Sequence, residues 1–321
     1  MKKRSTINLL KVVFILGLVL LIVSCGGNVP AGERPTDTIA ALKQVQSGTQ
    51  GVEVGLLSNY PPPLIYDQNE LVALVEVKNK GNHNLEAQDC FIQITGFDPN
   101  IIRGSIQNVR SCADNLGTLE GKSVYNLDGG FNQLEFSSTN VELPTNVFEY
   151  NPKLNFVTCY NYQTVASPSV CVDPVFYQIT SEQKSCRPMD VSMGGGQGAP
   201  VSVSSVGVDM VGSRAIFEIN IRNSANGRVL SPNADIRNCA QTSLSYTDLD
   251  RVDYTVELSG GSLVDCKPQD GIVRLNNNNG KIVCTFEVSG GSAFETPLQI
   301  TLDYAYLQSF QKQIKVIKTP G

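Results

Sequence analysis

The chain has 321 residues, room for two ordinary domains and too long for one small module. It is 41% hydrophobic and 17% charged, which supplies packed cores but little surface charge. Net charge is −5, and the 25 Lys and Arg are scattered apart from those in the first residues. That excludes nucleic acid as an expected partner, because phosphate binding needs clustered cations that displace counterions.

Residues 1–25 read as a signal peptide: Lys2, Lys3 and Arg4 precede an apolar run from Val12 to Val23, and small residues follow. Ile22-Val23-Ser24-Cys25 resembles a lipobox, the motif of prokaryotic lipoproteins in which a small residue precedes a cysteine. The resemblance implies that Cys25 takes a lipid through its sulfur, becomes the new N-terminus and ties the chain to a membrane. An uncleaved anchor is the alternative, although the apolar run falls short of the ~20 residues that a membrane span needs. Either reading places the bulk of the chain outside the cytoplasm. Beyond Cys25 the chain has eight further cysteines, an even number that suits a disulfide framework in an oxidising compartment. Zinc is not expected, since no C-x₂-C pair occurs and His83 is the sole histidine.

Residues 26–50 read as a tether dense in Gly and Pro, followed by a short helix. Thr36 or Asp37 would cap it, with Ile39, Leu42 and Val45 on one face. From Val52 the helical period gives way to short alternating runs rich in Val, Ile, Phe and Tyr, such as Leu71 to Val77, Leu154 to Tyr162, Arg214 to Ile221 and Leu298 to Tyr306. Gly, Asn, Asp and Pro clusters end these runs, the pattern of half-buried antiparallel strands. The expected fold is all-β: two tandem Ig-like antiparallel sandwiches over 51–191 and 201–321, joined by a flexible Gly-rich linker at 192–200.

The tandem reading rests on an internal repeat at a shift of 144 positions. Residues 71–81, LVALVEVKNKG, then lie over AIFEINIRNSA at 215–225, so that Asn79 meets Asn223. The same shift lays residues 153–172 over 297–316, matching Tyr160 with Tyr304 and Tyr162 with Tyr306. These tyrosines are expected to pack in the core rather than to form a binding platform.

The repeat also suggests disulfides. A hairpin turning near Val165 would set Cys159 opposite Cys171, with Asp303 opposite Lys315 as the matching ion pair in the second copy. Cys266 and Cys284 flank an expected hairpin around residues 276–280 and are paired, and Cys90 with Cys112 would close an early loop. Cys186 then falls to Cys239, with Cys171 to Cys186 as an alternative, among 105 possible connectivities.

Residues 62–81, ending Leu71-Val72-Ala73-Leu74-Val75-Glu76-Val77-Lys78-Asn79-Lys80-Gly81, resemble the opening of a CARDB-type adhesion module. These Ig-like sandwiches of prokaryotic surface proteins carry an alternating strand and then V-x-N-x-G. The second copy keeps Asn223 but has Ala225 for the glycine, with Gly227 two residues later. The resemblance implies a surface module that spaces, adheres or assembles, and no catalytic residue.

Chemistry has little material in the sequence. His83 stands in a loop without a G-x-S-x-G or nucleophilic cysteine context. Asp248, Asp250 and Asp253 form the densest acidic cluster but lack the EF-hand pattern, so a solvated loop is favoured over calcium. No catalytic residue, metal or cofactor is expected. The leading expectation is a non-catalytic, envelope-anchored surface lipoprotein that binds an envelope protein or glycan, adheres, or spaces. An accessory subunit of a secretion or pilus assembly is the first alternative. A carboxylate-dependent enzyme acting on envelope polymer is the second.

Overall fold

The computed structural model describes residues 38–178, 183–240 and 244–320. The expected leader, Cys25 as the expected lipidation residue, and the expected tether as far as residue 37 lie outside the described residues. Among the described residues, no helix is long and apolar enough to cross a membrane.

Helix α1 (Thr38–Val45) comes first, and it buries Ala41 and Val45. Ile39 and Leu42 are exposed, so the inward face differs from the expected one. The strands of the first half are β1 (Val52–Leu56), β2 (Leu64–Tyr66), β3 (Leu71–Asn79), β4 (Leu85–Glu86), β5 (Cys90–Thr95), β6 (Arg110–Ser111), β7 (Thr118–Leu119), β8 (Phe131–Ser138), β9 (Glu149–Tyr150), β10 (Lys153–Ala166) and β11 (Ser169–Val172). Those of the second are β12 (Val191–Ser192), β13 (Val201–Val211), β14 (Arg214–Asn223), β15 (Arg228–Leu230), β16 (Arg251–Leu258), β17 (Gly261–Lys267), β18 (Ile272–Arg274), β19 (Asn279–Val288), β20 (Phe294–Gln313) and β21 (Lys315–Ile317). The fold is all-β, with several antiparallel sheets.

Strand pleat explains the sequence alternation, because successive side chains point to opposite faces. On β3, Leu71, Ala73, Val75, Val77 and Asn79 are buried and the residues between are half-exposed. The matching positions Ala215, Phe217, Ile219, Ile221 and Asn223 are buried on β14. β3 is flanked by β1 and β8, and β14 lies between β13 and β19. Both inward rows join one core with Tyr160, Tyr162, Tyr304 and Tyr306.

A single sheet unites the two halves, in the order β18-β16-β20-β10-β5-β6. All of β10 pairs antiparallel with β20, from Lys153 opposite Gln313 to Ala166 opposite Ile300. Asn161 stands opposite Ala305, its own repeat equivalent, so a local pseudo-twofold axis passes between these residues. The halves also interlace at the C-terminus, where β21 pairs parallel with β2 and antiparallel with β9. Thr38–Gly321 forms one compact unit. The Gly-rich segment expected as a flexible linker is packed at its end: residues 197–200 are buried, and Gly198 and Gly195 bond to Gly48 through its carbonyl and amide.

The hairpin expected at Val165 does not form. β10 runs straight to Ala166, and beyond Pro168 β11 pairs with residues 294–297 of β20 rather than with β10. Cys159 therefore cannot meet Cys171. It lies on the outer face of the shared sheet, among Val157, Leu230, Ile236 and Ala305, and bonds to Cys239 in the segment covering that face. Cys171 joins Cys186 instead, so the expected Cys186–Cys239 bridge is also replaced. Cys90 bonds to Cys112, and Cys266 to Cys284, which stand directly opposite on β17 and β19. The expected pair of Asp303 and Lys315 fails for the same topological reason: Asp303 lies opposite Gln163 and Asp253, while Lys315 reaches Glu149 at 2.6 Å.

Candidate binding groove

The residues with the most chemical potential are largely committed to holding the fold. Tyr160 and Tyr304 each accept a backbone N–H at the start of a strand, from Val52 at 3.4 Å and from Val201 at 3.2 Å. Tyr162 donates to Asn79 Oδ1 at 3.3 Å and accepts the His83 amide, while Tyr306 donates to Asn223 Oδ1 at 3.0 Å and accepts the Gly227 amide. Asn79 closes its turn by donating to His83 O and Leu119 O, and Asn223 donates to Gly227 O. The asparagine shared by the two copies is thus the partner of a buried tyrosine. The displaced glycine has a steric cause as well, since a Cβ on Gly227 would lie 2.4 Å from the Tyr306 ring. Burial pushes the phenols up, Tyr306 to about 12 and the other three further.

His83 packs edge-on against Tyr162 with ring centroids 5.3 Å apart, and burial lowers its pKa against the pull of Asp89 and Asp303. Within the acidic cluster, Asp248 caps a 3₁₀ turn by accepting the Ser245 amide and Asp250 pairs with Arg228. No group of three or more potential ligands among the described residues could hold a metal. Asp253 and Asp303 face each other on neighbouring strands, where burial and then the second carboxylate raise the Asp253 pKa. Gln163 donates to Asp303 at 2.8 Å.

Open grooves remain among the described residues. One, about 750 Å³, is polar and includes Asp67, which Lys318 and Thr319 hold. A second, about 700 Å³, opens between β16 and β17 beneath exposed Leu263 and Val264. A third, about 530 Å³, lies between the copies, where β1, the 225–228 turn and residues 307–310 of β20 converge on Tyr160. Gln308 spans its wall by donating to Val52 O at 2.7 Å.

No family model and no curated protein matches this chain. Among solved structures, a secreted serine protease, VesC from Vibrio cholerae, aligns at 13% identity and a TM-score of 0.19. The alignment covers 86% of this chain and 53% of that one, about half its length. A likeness of this degree carries no argument about fold or activity.

Sequence reasoning marks Tyr160, Ala225 and Gly227 of the groove lining for the repeat, and none of the lining for binding. Asn226 carries a further legible signal: under the 144-residue shift it falls on Asn82, whose side chain and amide hold Gln197 O and Gly198 O in the other copy. The β1 side of the wall is a strand edge, whose peptide groups leave no mark on residue type.

Proposed function

We propose that this chain is an exported, lipid-anchored, non-catalytic protein whose duplicated β body presents a rigid surface for binding, adhesion or spacing outside the membrane. The observation that carries the reading is the use of its polar side chains. Tyrosine hydroxyls and turn asparagines are spent on equivalent bonds inside each copy, and the body cysteines on four bridges, of which Cys159–Cys239 ties one copy to the other. Four disulfides suit an oxidising, extracytoplasmic compartment. The leader and its resemblance to a lipobox support a lipid at Cys25 as the anchor.

The experiment is metabolic labelling with an alkyne palmitate analogue, followed by cross-linking and mass spectrometry on intact cells. Label on Cys25, with cross-links from the body to envelope proteins or polymer, is the expected result. A mature protein that still begins at Met1 overturns the lipid anchor. The second reading, an accessory subunit of an envelope assembly, is favoured by the outer edge of β1, with which no strand among the described residues pairs. Recurrent cross-links to one complex would select it over adhesion.

A further inference from the structure

The two copies differ at one strand edge. Along β1, Gly51 O accepts from the Lys80 amide and the Leu57 amide donates to Leu74 O. By the antiparallel alternation, Glu53 and Gly55 also bond toward β3, and Val54 and Leu56 turn their N–H and C=O groups outward. Among the described residues no strand pairs with that side of β1, where only Val52 is held, by the Tyr160 hydroxyl and the Gln308 carboxamide. In the second copy β13 stands in the place of β1, since Val201 receives the same tyrosine bond as Val52 and Pro200 O accepts from Ser224 as Gly51 O does from Lys80. Val203 is then the equivalent of Val54.

The outward edge of β13 is filled. The Gln197 carboxamide accepts the Val203 amide at 2.7 Å and donates to Val203 O at 3.1 Å, as a neighbouring strand would. Met193 donates to Ser204 O, β12 pairs with residues 205–206, and Asp190 accepts the Val208 amide. Asn82 grips this same segment through Gln197 O and Gly198 O. In the first copy the corresponding chain, which leads into β1 through Gly48, bonds to Gly195 and Gly198 instead of folding back over its own strand. Asn226, the equivalent of Asn82, is exposed beside the 530 Å³ groove.

We propose that the β1 edge and its groove take an extended segment of a partner polypeptide, adding a strand as residues 190–198 do on β13. Its chemistry follows from that intramolecular occupant: a stretch of small residues, to approach the edge closely, bearing a glutamine or asparagine carboxamide that seats on Val54. Asn226 holds the segment's backbone. Main-chain bonds supply the attachment and the carboxamide its register. This rests on the binding reading above and names the surface it uses.

The probe is a fluorescent peptide of residues 190–199, titrated by anisotropy into the disulfide-bonded chain. Saturable binding is expected, with slowed hydrogen exchange at Val54 and Leu56. Val54→Pro removes only an outward N–H, a change that edge strands tolerate, and it should weaken binding about tenfold, the worth of roughly one net hydrogen bond. Asn226→Ala changes an exposed turn residue and should weaken binding while leaving the unfolding midpoint unchanged. Protection confined to β13, binding indifferent to both substitutions, or no saturation at millimolar peptide overturns the proposal. So does concentration-dependent dimerisation that Val54→Pro abolishes, which would make a second copy the occupant. Should the peptide fail while cellular cross-links to envelope partners persist, the edge assignment falls and the binding role stands.

Discussion

At the scale of the residue, the four buried tyrosines set the pattern for the molecule. Each hydroxyl bonds a backbone amide near the start of a strand or turn, and in Tyr162 and Tyr306 it also donates to the asparagine that closes the turn. Replacing either by phenylalanine leaves that buried amide and amide oxygen short of a partner. The expected loss is about 1–2 kcal/mol in each case, read as a lower urea midpoint at unchanged slope, and similar for the two because the surroundings repeat. Tyr306 carries a phenol raised from 10.0 to about 12. Stability that depends on its neutral form is complete below pH 10 and is lost as pH rises toward 12. Alkaline unfolding should therefore begin before Tyr306 itself ionises, and Tyr306→Phe should be less pH-sensitive in that window. Asp67 behaves in the opposite sense. The Lys318 ammonium and the Thr319 amide hold its pKa down, from 3.8 to about 2, so its contribution is present above pH 3.8 and fades as pH falls through 2. Asp67→Asn should flatten the acid limb of a stability-versus-pH curve, and an unchanged acid limb would show that the clamp on the C-terminal strand is unimportant.

At the scale of the element, alternation made the strands legible and topology hid their neighbours. The inward rows of β3 and β14 follow directly from Leu71 to Asn79 and Ala215 to Asn223, and the same parity places Tyr160 and Tyr162 inside with Cys159 outside. Parity does not say which strand lies alongside. Cys159 and Cys171 have the right spacing for a hairpin, yet β10 takes β20 and β5 as neighbours, because its long run of alternating residues continues past the expected turn to Ala166. The groove was harder still to read, since one of its walls is the peptide groups of a strand edge, which any residue type supplies. Opening the Cys159–Cys239 bridge tests the topology. It spans 80 residues and ties β10 to a segment of the second half. Cys159→Ser with Cys239→Ser should cost about 3–4 kcal/mol through unfolded-chain entropy and speed hydrogen exchange over residues 231–240. Across β16 and β20, Asp253 and Asp303 repel. With the Asp253 pKa raised, the repulsion is relieved as pH falls through it and grows above. Asp253→Asn should therefore stabilise the protein at neutral pH by about 0.2–1 kcal/mol, and a destabilised variant would mean that the charge is needed.

At the scale of the whole molecule, the repeat in the sequence implied two similar units, and the structure joins them through equivalent strands. β10 of one copy lies along β20 of the other about a local pseudo-twofold axis, much as identical subunits join by extending a sheet. Neither of these edges is then left bare within this body, whereas a separated half would keep β5 on β10 or β16 on β20 and expose the other edge of that strand. The C-terminal β21 adds a second interlock by pairing with β2 and β9 of the first half. Cooperative behaviour follows. The disulfide-bonded chain should unfold in urea in one transition, with coincident curves from tyrosine fluorescence and far-ultraviolet dichroism. A protease site placed at residues 194–195, where the backbone is exposed and no added Cβ would meet a neighbour, should allow cleavage that leaves the two pieces in one particle. Because Cys159–Cys239 also joins the pieces, the decisive sample is the cleaved Cys159→Ser, Cys239→Ser protein. Co-elution of its fragments in buffer, and their separation only at the unfolding midpoint, would establish that strand pairing makes the halves one body. Two unfolding transitions, or a folded fragment of residues 195–321 eluting alone, would establish instead that each copy is stable by itself and that the shared sheet is a contact between finished domains.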